Sequence, residues 1–278
     1  MHNRFIQRNF NLSAASGSYD THALIQRAMA EWLSETIEDR GPDQLEILEI
    51  GCGTGQFTEL LIQRCPSSSI LAMDMAPEML EAAKKRLKAT SDGQVPSVRF
   101  IQDDIESWID NVPAASFDLI VSNACLQWLN NPMATLCGLK RLLRPRGRLM
   151  FTTFGDRTFR ELHLSFHDAY LLQGLSPQRH TLRMQSMRQW EAWLSDCGFS
   201  DIRCNQSVQV KSYPTVRNFL HSVKAVGASA SAANPPRYFL RRLFRDMYNI
   251  YEENYHLTDG IAVTYDLLRF QADSDSIN

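Results

Sequence analysis

The sequence contains no apolar run long enough to cross a lipid bilayer, and its start, Met1-His-Asn-Arg4, lacks the apolar core of a signal peptide. Charge of neither sign dominates, since 29 lysines and arginines stand against 31 aspartates and glutamates, for a net charge of −2. A dedicated nucleic-acid binder would usually be strongly basic. We therefore expect a cytoplasmic globular protein with no nucleic-acid or membrane partner. Its 278 residues suffice for one large domain or a domain with a lid.

Cysteines are few and lack the paired spacing of a zinc site. There are six, and most lie in apolar segments: Cys52, Cys65, Cys125, Cys137, Cys197 and Cys204. We expect all of them to be reduced packing residues, and we expect no bound metal. Cys52 lies in a glycine-rich segment, where a reactive role is the alternative.

That segment is the most informative part of the chain: Leu45-Glu-Ile-Leu-Glu-Ile-Gly-Cys-Gly-Thr-Gly55. The apolar residues up to Ile50 predict a buried strand, and residues 56–64 predict an amphipathic helix after the glycine turn. The glycines run G-x-G-x-G, whereas a dinucleotide-binding turn runs G-x-G-x-x-G. A carboxylate just before them, Glu49, would repel phosphate and suit a cationic ligand such as S-adenosylmethionine. The alternative for the glycines alone is a tight strand-to-helix turn that needs positive φ.

Strands and helices alternate through the first half of the chain. The predicted strands are 45–50, 70–74, 98–101, 117–122 and 148–154, and the predicted helices between them include 77–88 and 132–143. Such alternation predicts an α/β fold, a Rossmann-like and mostly parallel sheet covered by helices on both faces. Ligands of these sheets bind beyond the carboxyl ends of the strands.

The second half follows a different pattern. Helices are predicted at 159–172 and 185–197, and strands at 202–211 and 261–270, which would give the sheet an antiparallel end. We predict one domain spanning residues 1–278, in which residues 1–40 form an N-terminal cap with a helix at 20–36. Residues 214–256 would form a helical lid insertion.

This organisation resembles the class I S-adenosylmethionine-dependent methyltransferases. Residues 49–55 are similar to the family's first motif, Asp74 matches the acidic end of its second strand, and Asp103-Asp-Ile-Glu106 matches the motif after its third strand. Arg144-Pro-Arg-Gly147 resembles its Pro-Gly-Gly turn but lacks one glycine. The resemblance implies S-adenosylmethionine as cofactor, held by Glu49, Gly51, Gly53, Gly55, Asp74, Met75, Asp104, Ile105 and Asn123. In it, Asp74 would bind the ribose and Asp104 the adenine amino group.

The acidic residues also have local alternatives. Asp74 would equally cap a helix that begins near Pro77, and Asp103 and Asp104 would equally be solvated loop acids. The combination of these acids with the glycine turn favours the cofactor site.

Four stretches resemble a narrower group, the malonyl-acyl-carrier-protein O-methyltransferases of biotin synthesis. They are Phe10-Asn with Ala15-Ser-Gly-Ser-Tyr-Asp20, Ser122-Asn-Ala-Cys-Leu-Gln-Trp-Leu129, Phe151-Thr-Thr-Phe-Gly155 with Glu161-Leu-His-Leu-Ser-Phe166, and Lys224-Ala-Val-Gly-Ala228 with Gly260-Ile-Ala-Val-Thr-Tyr265. The resemblance implies methyl transfer to the free carboxylate of malonyl-acyl carrier protein, giving the methyl ester that starts pimeloyl and biotin synthesis. The alternatives are a methyltransferase for a quinone precursor or a small free acid, and a non-catalytic protein that binds S-adenosylmethionine.

A carboxylate acceptor would need positioning rather than a general base, because a carboxyl of pKa about 4 is already ionised at pH 7. The segment after the fourth predicted strand offers no histidine or carboxylate but Asn123, Gln127 and Trp128. We predict Tyr19, Asn123 and Trp128 as catalytic residues, with packing as the alternative role of Tyr19. His163 and His167 are the alternative candidates for a general base.

Arginine is the cation best matched to a carboxylate, because its planar guanidinium binds both oxygens. Four arginines near the fifth predicted strand and the lid are candidates for the acceptor carboxylate: Arg148, Arg157, Arg179 and Arg183. The residues do not favour one of them over the others.

A second group of arginines is predicted to bind the acidic carrier protein. Arg237, Arg241 and Arg245 recur at four-residue spacing, with Arg242 beside them, in a helix that Asn234 and Pro235 would begin. Like charges four residues apart repel, so the stripe favours an acidic partner over an ordinary solvated helix face.

Overall fold

A sheet of eight strands forms the centre of the protein in its computed structural model, which describes residues 2–37, 44–90, 97–228 and 237–274. The strands are β1 (Glu46–Ile50), β2 (Ser69–Asp74), β3 (Val98–Gln102), β4 (Phe117–Asn123), β5 (Leu143–Phe154), β6 (Ser200–Tyr213), β7 (His256–Leu257) and β8 (Gly260–Asp273). Their order is β3-β2-β1-β4-β5-β8-β6, with β7 paired to β8. Strands β1 to β5 are parallel, whereas β8 is antiparallel to both β5 and β6. The predicted mostly parallel sheet with an antiparallel end is confirmed.

Helices cover both faces of this sheet. They are α1 (His2–Ala15), α2 (Ser18–His22), α3 (Leu24–Ser34), α4 (Gln56–Arg64), α5 (Pro77–Thr90), α6 (Ile105–Trp108), α7 (Pro132–Leu142), α8 (Arg160–Leu172), α9 (Met187–Asp196), α10 (Val216–Ala225) and α11 (Arg237–Asn254). Among these described helices, none is long and apolar enough to cross a membrane. The predicted helix start at Asn234 and Pro235 lies outside the described residues.

The predicted N-terminal helix 20–36 is interrupted in the structure. Ala23 has φ −79° and ψ 38°, outside the helical region, and it separates α2 from α3. Because of this break, α3 packs against α4 and β5, while α2 contacts the glycine turn through Asp20. The apolar pattern of 20–36 predicted the helical segments but gave no signal for the change of direction.

Strand β5 begins five residues before its predicted start at 148. Leu143 already pairs with Phe117 of β4, and the register shifts before Arg148 pairs with Leu119. Arg146, in the turn where the resembled family has an additional glycine, adopts φ 64°. The irregular start of β5 thus places a non-glycine residue in the left-handed region that favours glycine.

Alternate residues of the strands pack in different layers. In β1, Leu48 and Ile50 join a buried cluster with residues of α7 and α9, whereas Ile47 joins a cluster with residues of α3 and α4. Burial of each such side chain contributes about 1.5–3 kcal/mol. A third cluster packs β8 against α8, α10 and α11. The sheet is therefore fixed on both faces, and its carboxyl ends lie beside the later helices.

Two cysteines correct the expectation that all six are reduced. Cys137 of α7 and Cys197 after α9 form a disulfide, with Cα atoms 4.8 Å apart. The sequence could not predict this pair, because the two residues are 60 positions apart and meet only through the packing of α7 against α9. The free cysteines are Cys52, Cys65, Cys125 and Cys204, of which the first two are buried.

Candidate active site

The three glycines of the turn after β1 all have positive φ, and two of them are also required for close packing. The φ angles are 72° at Gly51, 54° at Gly53 and 82° at Gly55. A Cβ at Gly51 would overlap the Cys125 side chain, and a Cβ at Gly55 would lie 3.0 Å from that of Ala83. A Cβ at Gly53 would have the Tyr19 hydroxyl as its nearest neighbour, 3.9 Å away. The turn is thus packed against β4 and α5 at its two ends and open in the middle.

Asp74 ends β2 and holds this turn in place. One carboxylate oxygen accepts a hydrogen bond from the Gly53 N–H at 2.9 Å, and the other accepts from the Ala76 N–H at 2.8 Å. Burial raises the pKa of Asp74 to about 6, although these backbone donors oppose the shift. The capping role and the cofactor-site role predicted for Asp74 are therefore compatible, because the same carboxyl also lines a cavity.

This cavity, of about 100 Å³, is the smaller of two cavities at the site, and it lies beyond the carboxyl ends of β1, β2 and β4. Acidic side chains and apolar side chains line it together. The predicted cofactor residues on its wall are Gly51, Gly53, Asp74, Met75, Asp104, Ile105 and Asn123. Asp104 also caps α6, since its carboxylate accepts from the Glu106 N–H at 3.1 Å. An acidic cavity with apolar walls suits a cation that carries a flat ring system.

Glu49 and Gly55 are the predicted cofactor residues that do not line the smaller cavity. Glu49 is 1% exposed and accepts a hydrogen bond from the Thr58 hydroxyl at 2.7 Å. Burial raises the pKa of Glu49 to about 8, a shift that the Thr58 bond partly offsets. The structure thus places Glu49 between β1 and α4 rather than at the mouth of the turn.

Helix α1 lies against the smaller cavity through polar residues that sequence reasoning did not single out within the predicted cap 1–40. The Asn3 side chain donates to the Asp104 carboxylate at 2.6 Å, and the Gln7 side chain donates to the Met75 carbonyl at 2.7 Å. Asn11, one turn further, accepts from the Glu78 N–H at 3.1 Å. The signal was present in the sequence, because polar residues at four-residue spacing share one face of a helix.

A larger cavity of about 610 Å³ adjoins the smaller one. Aromatic and aliphatic side chains from α1, α3, α8, α10 and α11 form most of its wall, together with the hydrogen-bonded hydroxyls of Tyr213 and Tyr265, 2.8 Å apart. The two cavities share four lining residues: Phe10, Tyr19, Ala124 and Trp128. We call these four residues the junction. Molecules bound in the two cavities would meet there.

The three predicted catalytic residues lie at or beside the junction. Burial, followed by the charge of Asp74, raises the pKa of Tyr19 well above its usual value, so its hydroxyl stays protonated. Trp128 makes an edge-to-face contact with Phe10 at 5.5 Å. Asn123 is tied to its neighbours, because its amide donates to the Gln26 carbonyl at 3.0 Å and its oxygen accepts from Thr152 at 2.7 Å.

The four arginines predicted for the acceptor are not on the wall of the larger cavity. Arg148 forms an ion pair with Asp273 at 2.6 Å, in the half of β5 remote from its carboxyl end. Arg157 and Arg183 are exposed. Arg179 donates to His163 Nε2 at 3.0 Å, and Thr181, which does line the cavity, bonds the same nitrogen at 3.1 Å. Arg179 is thus the candidate tied most directly to the cavity wall.

The histidines predicted as possible bases do not line either cavity. Burial and Arg179 lower the pKa of His163 to about 4, and His167 is exposed beside Asp168. His180 does line the larger cavity, but burial lowers its pKa to about 4 as well. The cation that sequence reasoning missed is Lys224, an exposed residue of the last turn of α10 that lines the cavity. Its signal was the stretch 224–228, which carried part of the family resemblance.

Helix α11 separates the larger cavity from solvent. Leu240 and Phe244 line the cavity, whereas Arg241, Arg242 and Arg245 are exposed. Arg245 lies 3.1 Å and Arg242 3.7 Å from the carboxylate of Asp246. The side chain of Arg237 lies outside the described residues. The predicted arginine stripe therefore stands on the outer side of a cavity wall.

Comparison with known proteins places this geometry in context. Residues 48–151 match the family described as a methyltransferase domain. The malonyl-[acyl-carrier protein] O-methyltransferase of Paenibacillus sp. (strain JDR-2) is 49% identical over 272 residues, covering 96% of this chain and 97% of that protein. The fold is similar to that of the YcgJ protein from Bacillus subtilis, with a TM-score of 0.61 and 17% identity over 90% of this chain and 99% of the other.

A second solved structure, phosphoethanolamine N-methyltransferase 2 from Haemonchus contortus, has a TM-score of 0.54 at 17% identity and covers 88% of this chain and 53% of its own. That protein was solved in complex with phosphomonomethylethanolamine and S-adenosylhomocysteine. At this identity the likeness is one of fold.

Proposed function

The chain belongs to the malonyl-[acyl-carrier protein] O-methyltransferases, and we propose that it transfers a methyl group from S-adenosylmethionine to the free carboxylate of malonyl-acyl carrier protein. The observation that carries this function is the junction, where an acidic cavity and a larger apolar cavity share Phe10, Tyr19, Ala124 and Trp128. A methyl donor in one cavity and an acyl group in the other would react there. The product would be the methyl ester that starts pimeloyl and biotin synthesis.

The chemistry of the smaller cavity supports S-adenosylmethionine as the methyl donor. When bound, this cofactor supplies a methyl group on a sulfonium, whose leaving group is a neutral thioether. Gly51 and Gly53 would lie against the nucleoside, because the turn is open at Gly53. Asp74 and Asp104 would accept hydrogen bonds from ribose and adenine, and Ile105 would flank the ring. The negative charge of these carboxylates also favours a cation.

The junction supports a carboxylate acceptor. A malonyl carboxylate is ionised at pH 7 and needs no base, and the candidate bases His163 and His167 do not line the cavities. Tyr19, kept protonated by burial, would donate a hydrogen bond to one carboxylate oxygen and leave the other free to react. The rings of Phe10 and Trp128 would exclude water from the reacting atoms.

For the positive charge that selects the acceptor, we propose Arg179, supported by its bond to His163 beside Thr181 on the cavity wall. Burial lowers the pKa of the Arg179 guanidinium, and the nearby charge of Arg183 lowers it further. Lys224, which does line the larger cavity, is a second candidate for this charge.

Helix α11 is our candidate for the carrier docking surface. Its exposed Arg241, Arg242 and Arg245 would bind acidic groups of the carrier, while Leu240 and Phe244 of the same helix line the cavity. A carrier seated on these arginines would deliver its acyl arm beside the cavity. In this proposal residues 1–40 cap the cofactor and residues 214–256 form the lid over the acyl group.

One assay separates the candidate functions. The protein is incubated with radiolabelled S-adenosylmethionine and, in parallel, malonyl-acyl carrier protein, malonyl-coenzyme A, free malonate or a quinone precursor. We expect label on the malonyl thioesters, most rapidly on the carrier protein, in a base-labile ester. Label only on malonate or on the quinone precursor would replace the proposed acceptor. Binding of S-adenosylmethionine with no labelled product on any acceptor would favour a non-catalytic role.

A further inference from the structure

Asp20 joins the segment that carries Tyr19 to three elements of the cofactor site. One carboxylate oxygen accepts from the Thr54 hydroxyl at 2.6 Å and from the Gln56 amide at 2.8 Å, and the other accepts from Arg86 at 2.6 Å. Thr54 belongs to the glycine turn, Gln56 begins α4, and Arg86 lies in α5. One side chain of α2 therefore bridges the turn and both helices that flank it.

Contacts that do not involve Asp20 also join Arg86 to the glycine turn and to α4. The Arg86 guanidinium donates to the Thr54 carbonyl at 2.8 Å and forms an ion pair with Glu59 of α4 at 3.2 Å. Thr54 itself is only 4% exposed. These contacts join Arg86 to the turn independently of α2. Asp20 therefore binds to groups that other contacts already position.

Helix α2, by contrast, is a short helix whose other neighbours are α1 and α10. It spans five residues, of which Thr21 is exposed and the other four are half-buried, and the residue before it, Gly17, has φ 68°. The Ser18 hydroxyl donates to the Ala225 carbonyl at 2.9 Å, which ties the helix to α10 but not to the cofactor site. The described contacts that tie α2 to the glycine turn are those of Asp20.

We propose that Asp20 is a positioning residue for methyl transfer, which fixes the Tyr19 hydroxyl at the junction by locking α2 onto the glycine turn. This inference rests on the proposed function. Tyr19 is the preceding residue, and its hydroxyl lies over Gly53, one residue from Thr54. A reacting group displaced by about 1 Å can lose about 100-fold in rate. Loss of Asp20 would therefore slow transfer while the wall of the smaller cavity stays intact.

The test begins with Asp20→Asn, which removes the negative charge beside Arg86 and replaces one of the two acceptor oxygens by an NH2 donor. With malonyl-acyl carrier protein we expect kcat to fall about 10- to 100-fold. The dissociation constant for S-adenosylmethionine should change less than about 3-fold, since Asp74 and Asp104 remain. Asp20→Glu, which keeps the carboxylate, should recover part of kcat. The matched control is Glu81→Gln, which removes an exposed ion pair of α5 with Lys84.

A double variant separates positioning from a general structural role. If Asp20 acts through Tyr19, Asp20→Asn should cost less than about 3-fold in a Tyr19→Phe background, because the hydroxyl it positions is gone. Full kcat in Asp20→Asn would overturn the proposal. So would an equal loss in both backgrounds, or a loss of cofactor affinity that matches the loss of rate.

A measurement without turnover keeps this result distinct from a failure of the proposed function. Amide hydrogen exchange of residues 18–23 should be faster in Asp20→Asn than in the wild-type protein, with exchange in α4 unchanged. An inactive wild-type protein would refute malonyl-acyl carrier protein as the substrate, and the exchange result would still decide whether Asp20 holds α2. Unchanged exchange in residues 18–23 would overturn the proposal by itself.

Discussion

At the scale of single residues, Tyr19 shows how burial selects a chemical role. A tyrosine can act as a base only after losing its proton, and burial near Asp74 raises the pKa of Tyr19 far above neutral pH. Its hydroxyl is therefore restricted to donating a hydrogen bond. That role suits a carboxylate acceptor, which is already a nucleophile and needs only orientation.

We predict that Tyr19→Phe lowers kcat for malonyl-acyl carrier protein about 10- to 100-fold, because a hydrogen bond to a charged group contributes about 1.5–3 kcal/mol. Since Tyr19 stays protonated, the wild-type pH–rate profile should show no tyrosine ionisation up to about pH 10. Steady-state kinetics of the two proteins measure both effects. Tyr255→Phe, a tyrosine that lines neither cavity, is the control. A Tyr19→Phe protein with wild-type kcat would remove the hydroxyl from the mechanism.

Glu49 gives a prediction about stability rather than catalysis. Its pKa in the folded protein is about 8, against 4.5 for an exposed glutamate. Between these values the folded state keeps a proton that the unfolded state has released, so this group makes the free energy of unfolding fall as pH rises. We expect Glu49→Gln to lack this pH dependence. The free energy of unfolding of the variant minus that of wild type should therefore be larger at pH 8 than at pH 5, by about 1–3 kcal/mol.

Urea unfolding of the ligand-free protein and of Glu49→Gln at both pH values measures this difference. Asp118→Asn, a carboxylate that is paired with Arg144, is the control for a general effect of charge removal. Parallel pH dependence in wild type and Glu49→Gln would show that Glu49 is ionised in the folded state. It would then be available to a cationic ligand from beneath the turn.

Among the secondary-structure elements, the pair α7 and α9 is joined by a covalent bond. The Cys137–Cys197 disulfide closes a loop of 60 residues that contains β5 and α8. Such a crosslink restricts the unfolded chain and typically stabilises a protein by about 2–4 kcal/mol. We predict that Cys137→Ser lowers the free energy of unfolding by about this amount in the absence of reductant.

Denaturant unfolding of Cys137→Ser and wild type, with and without reductant, checks this prediction. Reductant should remove the difference, since it opens the crosslink in the wild-type protein. Cys204→Ser changes a free, half-buried cysteine and serves as the control. Six titratable thiols in the denatured, unreduced wild-type protein would contradict the disulfide and restore the original expectation of reduced cysteines.

How much of these elements the sequence revealed depended on the range of the interactions involved. The helix α4 and the strands β1 to β4 follow from local apolar patterns, and their predicted positions are confirmed to within about one residue at each end. The break at Ala23 and the early start of β5 depend on how segments pack against distant partners. The same is true of Glu49, whose local position beside the turn gave no indication of its bond to Thr58.

For the whole molecule, the site combines parts with very different predictability. Asp74 and the glycines follow one another along neighbouring strand ends, so a motif was enough to find them. The junction brings Phe10 and Tyr19 of the N-terminal helices against Ala124 and Trp128 of the segment after β4. No local pattern encodes that meeting, so the sequence indicates less clearly which residues surround the larger cavity than which residues surround the smaller one.

The whole molecule also sets how a carrier protein would approach. Because Leu240 and Phe244 line the larger cavity and Arg241, Arg242 and Arg245 are exposed, one helix links docking to access. We predict that Arg241→Glu with Arg245→Glu raises KM for malonyl-acyl carrier protein about 10-fold or more, since charge reversal adds repulsion to lost attraction. The kcat at saturation should change little, because neither arginine lines the cavity.

A small acceptor separates docking from catalysis. Malonyl-coenzyme A carries the same acyl group without the carrier protein, so its kinetics should be unchanged in the Arg241/Arg245 variant. Arg64→Glu with Arg203→Glu, at two exposed arginines outside α11, makes the same change in net charge and is the control. The wild-type KM for the carrier substrate should rise with salt and that of the variant should rise less, as expected for screened charges. An equal rise in KM for the carrier and coenzyme A substrates would show that these arginines maintain the structure of the lid instead. An unchanged KM for both would show that the carrier docks on another face of the protein.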